Sequence, residues 1–364
     1  MGEVIRDDVI LSSQSEAAAG GSARSELIAH HPRKLAPRPA WQVSDLLTAA
    51  GLAALLLPSW LLPERTWEPL WRAVARIPVL TSRRAIKQTA NSVQLALGEP
   101  DQRRGEAIAH DLKASIYELR MQDLRAWRPG GWKPKITLDG EHYLLSALTS
   151  GKGAVLWVAP FVFNGGPTKI EFHRKGYRVS HLSSPKHGFS ETEFGVRFLN
   201  RVRCIPEDRY LAQRIVFDRS APSTAMRRMM RALKAGEIVS IVATSTEGSE
   251  MVQAPILGGR LRVAVGAPRL AALTGAPLLP VFTVRDPGVG FRVVIEAPIA
   301  IETERSSDER CIAAAIEFFR RSEPWIRRFP EQWRAWSKWR RAQLAATPAP
   351  GTGSGSRRSP MQWR

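Results

Sequence analysis

Apolar and polar positions follow three regimes along the chain. From residue 46 to 57 they are apolar almost without interruption, up to Pro58, and the run resumes briefly as Trp60-Leu61-Leu62 before Pro63. Residues 68–130 carry apolar positions three or four apart, in stretches at 85–97 and 106–126, where Leu112, Ile116, Leu119 and Leu124 share a face; Pro129-Gly130-Gly131 closes this block. That spacing predicts amphipathic helices. Beyond it, short apolar runs at 154–159, 177–182, 238–243, 278–284 and 291–296 alternate with helical stretches such as 226–235. Apolar runs short enough to be strands, separated by helices, predict an α/β fold with a mainly parallel central sheet flanked by helices. Both ends of the chain lack either period: residues 1–40 mix Ser, Ala, Gly and charge, and the end is rich in Pro, Gly and Ser. The reading is an N-terminal arm over 1–40 and a hydrophobic membrane-associating helical region over 41–80. A helical lead-in over 81–150, the α/β domain over 151–342 and a tail over 343–364 follow, with arm and tail taken as disordered.

The apolar run is short for a membrane span, which wants about 20 residues, and reaches that length only if a helix absorbs Pro58. It also begins too far from Met1 for an ordinary signal peptide. Three readings stay open for it: an interfacial or re-entrant anchor, a short transmembrane helix, or a buried core helix. Arg33, Lys34 and Arg38 precede it, so under the positive-inside tendency its N-terminal flank is expected on the cytoplasmic face of a membrane.

Charge narrows the choice of partner. The 53 Lys and Arg exceed the 34 Asp and Glu by a formal +19, an imbalance that calls for an anionic surface or ligand. Nucleic acid is not the expected partner, because neither zinc-finger spacing nor a recognition-helix context accompanies the charge. Twelve Trp include clusters at 41, 60, 67, 71 and at 325, 333, 336, 339, the second interleaved with Arg320, Arg321, Arg327, Arg328, Arg334 and Lys338. Aromatic and basic residues together suit an anionic membrane surface or an acidic carrier protein, although Trp at these positions equally serves a core. Cys204 and Cys311 are the two cysteines and form no CxxC or Cys/His cluster, so neither a disulfide framework nor a metal site is expected.

Within the α/β block a series of local patterns occurs in order. Gly151-Lys152-Gly153-Ala154-Val155-Leu156 feeds a buried strand, and Val216-Phe217-Asp218-Arg219 precedes a helix. Thr246-Glu247-Gly248-Ser249 follows the next strand; then come Gly275-Ala276-Pro277-Leu278-Leu279-Pro280-Val281 and the close Pro330-Glu331-Gln332-Trp333. Over residues 42–340 the series resembles the bacterial late lipid A acyltransferases (lauroyl and myristoyl transferases) of the lysophospholipid acyltransferase superfamily.

The resemblance implies transfer of a fatty acyl group from acyl carrier protein or acyl-CoA to a hydroxyl of a lipid or glycolipid, without a cofactor. It also implies a His, four intervening residues and an acid just after the strand at 154–159, the His taking the hydroxyl proton and the acid orienting it. Pro160 and Gly165 stand at those two positions, so neither role can be filled there. Ser183-Ser184-Pro185 replaces a Tyr-Arg-Pro segment, and Thr244 or Ser245 replaces an Asp. Candidates for the chemistry are therefore Glu247, His187 and His173, with His181 beside them. His187 has Glu191 and Glu193 close behind it. Acceptor binding is expected from Arg219, as a bidentate phosphate ligand, and from Thr246, Gly248 and Ser249 in the loop that resembles the superfamily's phosphate-binding turn. Two functions follow: a membrane-associated acyltransferase with a rearranged acid/base pair, or a catalytically degenerate lipid-binding subunit on the same scaffold.

Overall fold

The computed structural model describes residues 26–29, 38–77, 82–217, 221–244, 248, 250–286, 290–302 and 304–341. The tail from 342 lies outside them. Within the arm read as lacking regular structure, strand β1 (Glu26–Ala29) pairs antiparallel with a later strand, so the folded part begins before residue 40.

Helix α1 (Val43–Leu61) continues through Pro58 instead of stopping there. Its C-terminal carbonyls are held from outside: the Arg125 guanidinium donates to the carbonyls of Ser59 and Leu62, and Trp60 Nε1 donates to the Leu124 carbonyl at 3.0 Å. The two Arg125 bonds satisfy carbonyls at the C-terminal end of the helix, which have no intrahelical partner, and fix the segment that follows Pro58. The helix is long and apolar enough to cross a membrane by length and composition, yet only Asp45, Leu52 and Ser59, one stripe at heptad spacing, are buried. Helices α2 (Trp67–Ala75), α3 (Arg83–Leu97) and α4 (Gln102–Arg125) follow; α4 packs against all three.

The α/β region then runs β2 (Ile136–Asp139), α5 (Glu141–Thr149), β3 (Ala154–Val158), α6 (Gly166–Arg174), β4 (Val179–Ser183), α7 (Arg201–Asp208), β5 (Gln213–Val216), α8 (Pro222–Lys234) and β6 (Ile238–Val242). It continues with β7 (Glu250–Ile256), β8 (Gly259–Ala264), α9 (Gly266–Thr274), β9 (Leu278–Asp286), β10 (Gly290–Ile295), α10 (Ser307–Arg328) and β11 (Arg340–Arg341). Seven strands form one sheet in the order β2-β10-β9-β3-β6-β4-β5, parallel throughout except where β9 meets β10. The predicted α/β architecture is therefore the one the chain adopts. A second, antiparallel sheet, β1-β7-β8-β11, was not foreshadowed by the apolar pattern. Its hairpin strands alternate buried with exposed positions and include Arg260 and Arg262, so they read as polar segments.

Alternation along β3 shows how both faces of the main sheet are covered. Ala154, Leu156 and Val158 point toward α5 and α6, whereas Val155 and Trp157 point into the larger core beneath α8, α9 and α10. Trp157 is fully buried and stacks on Phe318 of α10 with ring centroids 4.3 Å apart. The clustered tryptophans serve the core more than a membrane face: Trp67, Trp71, Trp333, Trp336 and Trp339 are all buried, while Trp41 is exposed. Of the arginines between the C-terminal tryptophans, Arg327 and Arg328 are exposed, whereas Arg334 borders a cavity.

Candidate active site

The C-terminal ends of β3, β6, β4 and β5 gather on one side of the sheet, where open parallel sheets place their ligands. A cavity of about 620 Å³ opens there, bordered by Val158 and Pro160 after β3, Ser183 and Ser184 after β4, and Ala243 and Thr244 after β6. One side of it is apolar, with Phe217, Met226, Met229, Ile241, Leu261 and Phe319.

The polar side is built from strand register. Ser240 of β6, His181 of β4 and Arg214 of β5 stand side by side as neighbours in the parallel ladder, on the face that α6 covers. His181 Nδ1 lies 3.3 Å from Ser240 Oγ, and Arg214 Nη1 donates to Ser183 Oγ at 3.1 Å. Above this row sits the Glu207 carboxylate, brought by α7. Its Oε2 accepts from Lys169 Nζ of α6 at 2.6 Å, from Arg214 Nη2 at 2.9 Å and from His187 Nε2 at 3.0 Å. Burial opposes ionisation of Glu207, but Lys169, His187 and Arg214 together hold its carboxyl well below the usual carboxylate range. For His187 burial wins over the pull of Glu207 and lowers its pKa, and for His181 burial and the nearby Lys169 lower it further.

His187 sits on the loop after β4, and that loop is fastened at several points. Asn200 Oδ1 accepts the Phe189 and Ser190 backbone N–H groups at 2.7 and 2.9 Å, and its Nδ2 donates to the Ser190 carbonyl at 2.9 Å. Gly188 takes φ +147°, and a methyl there would lie 2.4 Å from Asn200 Cγ, so only glycine lets the loop approach this closely. Asp45 of α1 accepts from Ser190 Oγ at 2.5 Å and from Thr192 Oγ1 at 2.8 Å, tying the same loop to the apolar helix.

Among the residues singled out from sequence, His187, His181 and Gly248 line the cavity, as do Pro160 and Gly165. His173 is exposed at the C-terminal end of α6, its ring 5.6 Å from that of Tyr210, away from the strand C-termini and not among the lining residues. Arg219, Thr246, Glu247 and Ser249 lie outside the described residues. Glu191, expected beside His187, instead holds Lys186 Nζ at 2.5 Å.

The acid comes from elsewhere in the chain. A methyl at Gly165 would lie 3.4 Å from Glu207 Oε1, so the Glu207 carboxylate fills the space that a side chain at residue 165 would enter. No search for His and acid at fixed short spacing could find a pair twenty residues apart. Lys169 and Arg214 were also missed, although a lysine beside Ile170 and Phe172 on a covered helix is a signal that a buried cation needs a partner.

The arrangement can move a proton. With Nε2–H donated to a permanently ionised carboxylate, His187 keeps its lone pair on Nδ1, and its lowered pKa keeps the ring neutral near pH 7. The cavity is also electropositive. Arg203 is neutralised by Asp123 at 2.6 Å and Arg269 by Glu250 at 2.5 Å, but Arg262, Arg334 and Lys338 on the same wall have no carboxylate partner among the described residues. Burial, with the nearby Arg203 charge, presses the Arg334 guanidinium downward from its usual pKa.

None of the curated proteins matches the chain. Residues 198–340, which carry Glu207, Arg214 and everything from β5 to the last turn before β11, match the family model described as bacterial lipid A biosynthesis acyltransferase. The Pro160–Gly165 segment and His187 precede the matched stretch. Over residues 198–340 the chain is thus similar to the bacterial lipid A biosynthesis acyltransferases.

Proposed function

We propose that this protein transfers a fatty acyl group from a thioester, carried by acyl carrier protein or acyl-CoA, to a hydroxyl of a lipid or glycolipid at a membrane surface. The observation that carries the reading is the His187–Glu207 pair, 3.0 Å apart at the mouth of a cavity whose other wall is apolar. His187 Nδ1 takes the acceptor hydroxyl proton as the oxygen attacks the thioester carbonyl; the C–S bond then breaks, and the imidazolium returns the proton to the leaving thiolate. Glu207 fixes the tautomer and stabilises the cation formed in between. Arg262, Arg334 and Lys338 suit a phosphate on acceptor or donor, and the apolar wall suits the acyl chain.

The membrane part of the reading rests on α1. Leu46, Leu47, Leu57 and Leu61 are each more than half exposed, yet the helix is bonded to the rest of the chain through Asp45 near one end and Ser59 and Leu62 at the other. A helix fastened at both ends lies along the domain, so α1 rests flat in the headgroup region, on the cytoplasmic face of the inner membrane by the charge of its flank. Purified protein, an acyl-carrier thioester and a lipid acceptor should release free thiol and acylated lipid. His187→Gln should lower kcat by about two to four orders of magnitude, the usual contribution of a general base.

A second reading, a lipid-binding subunit that performs no transfer, is favoured by Pro160 and Gly165 at the positions where the resembling family keeps its pair. Lipid binding without thiol release across a broad panel of donors would establish it.

A further inference from the structure

Helix α1 does not lie flush on α4. Between them is a hollow of about 210 Å³ bounded by Leu47, Thr48, Gly51, Leu52 and Leu55 of α1 and by Arg120 of α4. Leu47, Gly51 and Leu55 follow at four-residue spacing, so they form one stripe of the helix. The adjoining stripe, Leu46, Ala50, Ala53 and Leu57, is exposed and wholly apolar. The hollow thus has a fatty rim and one cation at its wall.

Among the described residues that cation forms no ion pair, although the Asp123 charge lies close enough to act on it. Arg120 lies over the Tyr117 ring, its guanidinium carbon 5.6 Å from the centroid, and Lys113 Nζ approaches the same ring at 4.9 Å. The three residues fall on one face of α4 by their i, i+4, i+7 spacing. Neither cation has a carboxylate partner among the described residues, and the neighbouring acid, Asp123, is taken up by Arg203 through two bonds of 3.0 and 2.6 Å. Partial burial presses both cations down from their ordinary pKa values. An anion entering the hollow therefore meets a partly desolvated guanidinium with no carboxylate bonded to it among the described residues, the nearby Asp123 being bonded to Arg203, beside leucine side chains that suit an acyl or glycerol moiety.

We propose that the hollow between α1 and α4 is a headgroup site for an anionic glycerophospholipid of the membrane, with Arg120 holding the phosphate, Lys113 on its outer side and the α1 leucines against the upper acyl chain. This rests on the reading that α1 lies in the membrane surface. It adds a lipid contact separate from the cavity that holds His187, one that chooses among membranes rather than among substrates.

The test is flotation of the full chain with vesicles of phosphatidylcholine alone or mixed with phosphatidylglycerol. Wild type should float with both and bind the mixed vesicles more tightly. One cation near an anionic surface is worth roughly fivefold in binding, so the control Lys234→Gln, an exposed cation on α8, should lose no more than that. Arg120→Gln should lose well over tenfold on mixed vesicles and little on phosphatidylcholine, and Arg120→Lys should not restore it, because the fork is replaced by a point charge. Gly51→Leu provides a variant that folds: a Cβ there meets nothing within 4 Å, and leucine favours the helix more than glycine. It should fill the hollow and erase the preference for phosphatidylglycerol while leaving flotation on phosphatidylcholine intact. Equal losses for Arg120→Gln and Lys234→Gln, or an undiminished preference in Gly51→Leu, would overturn the headgroup site alone. Failure of wild type to float with either vesicle would overturn the membrane reading beneath it.

Discussion

Glu207→Gln keeps the shape of the side chain and removes its charge, which makes it the sharpest probe of the network over β4 and β5. Oε2 of Glu207 receives Lys169, Arg214 and His187 at 2.6, 2.9 and 3.0 Å, and the side chains of Lys169 and Arg214 are only 6% and 11% exposed. In the variant two cations remain buried against a neutral amide, one of whose atoms is itself a donor. Removing one partner of a buried ion pair costs about 3–5 kcal/mol, and in a domain of this size each kcal/mol lowers Tm by roughly 2–4 °C, so a fall of about 10 °C is expected. Urea denaturation gives the free energy directly. The double replacement Lys169→Met/Glu207→Gln removes one orphaned cation along with the carboxylate, and the cycle with the single variants should show a coupling of at least about 2 kcal/mol. A loss under about 1 kcal/mol for Glu207→Gln, or additivity in the cycle, would refute the claim that this carboxylate organises the site.

Four further outcomes follow from the structure. Burial lowers the His187 pKa below its ordinary 6.5, so on acidification the unfolded chain binds this proton first; stability held above pH 6.5 should decline as pH falls through 6.5 toward the folded value, and His187→Gln should flatten that limb in urea titrations. The acid limb of kcat/KM for thioester consumption should likewise sit below pH 6.5, and a limb above that value would argue against a neutral, buried base. Asn200→Ala removes three bonds to the His187 loop and should cost about 2–3 kcal/mol by urea denaturation while lowering kcat more than it raises KM, because the loop carries the base. Trp157→Ala empties the contact between β3 and α10 and should cost about 3–5 kcal/mol, measured by the same titration.

Where the sequence was informative, one physical signal dominated a segment. The five short apolar runs became β3, β4, β6, β9 and β10 because a strand buried on both faces needs apolar residues throughout, and alternation with helices left few topologies. The edge strands β2 and β5 and the hairpin of β7 and β8 were hidden, since positions such as Gln213, Arg260 and Arg262 are polar on their accessible sides and Arg214 is a largely buried cation. Pro58 misled in one direction: a proline breaks a helix unless its surroundings support it, and here Arg125, distant in sequence, holds the carbonyls of Ser59 and Leu62 at the end of the helix just beyond it. For the site, the residue types were legible and their pairing was not. His187 stood out only for two following glutamates, whereas the carboxylate it meets arrives on another helix, next to the very glycine where an acid was sought. Local spacing reports contacts along one element; register between β4, β5 and β6 is a property of the assembled sheet.

On the proposed seating of α1 in a membrane surface, Asp45 would give the bilayer a lever on the chemistry. Its two oxygens bind Ser190 and Thr192, so the apolar helix proposed to meet lipid and the loop that carries His187 share one carboxylate. Free-energy coupling between two such positions works equally in both directions. On that reading, whatever lipid does to seat α1 would also seat His187, and a substrate that steadies the loop would tighten the protein's hold on the membrane by the same factor. A chain built this way would be most competent where its water-insoluble acceptor is, and would linger there for as long as the acceptor is bound.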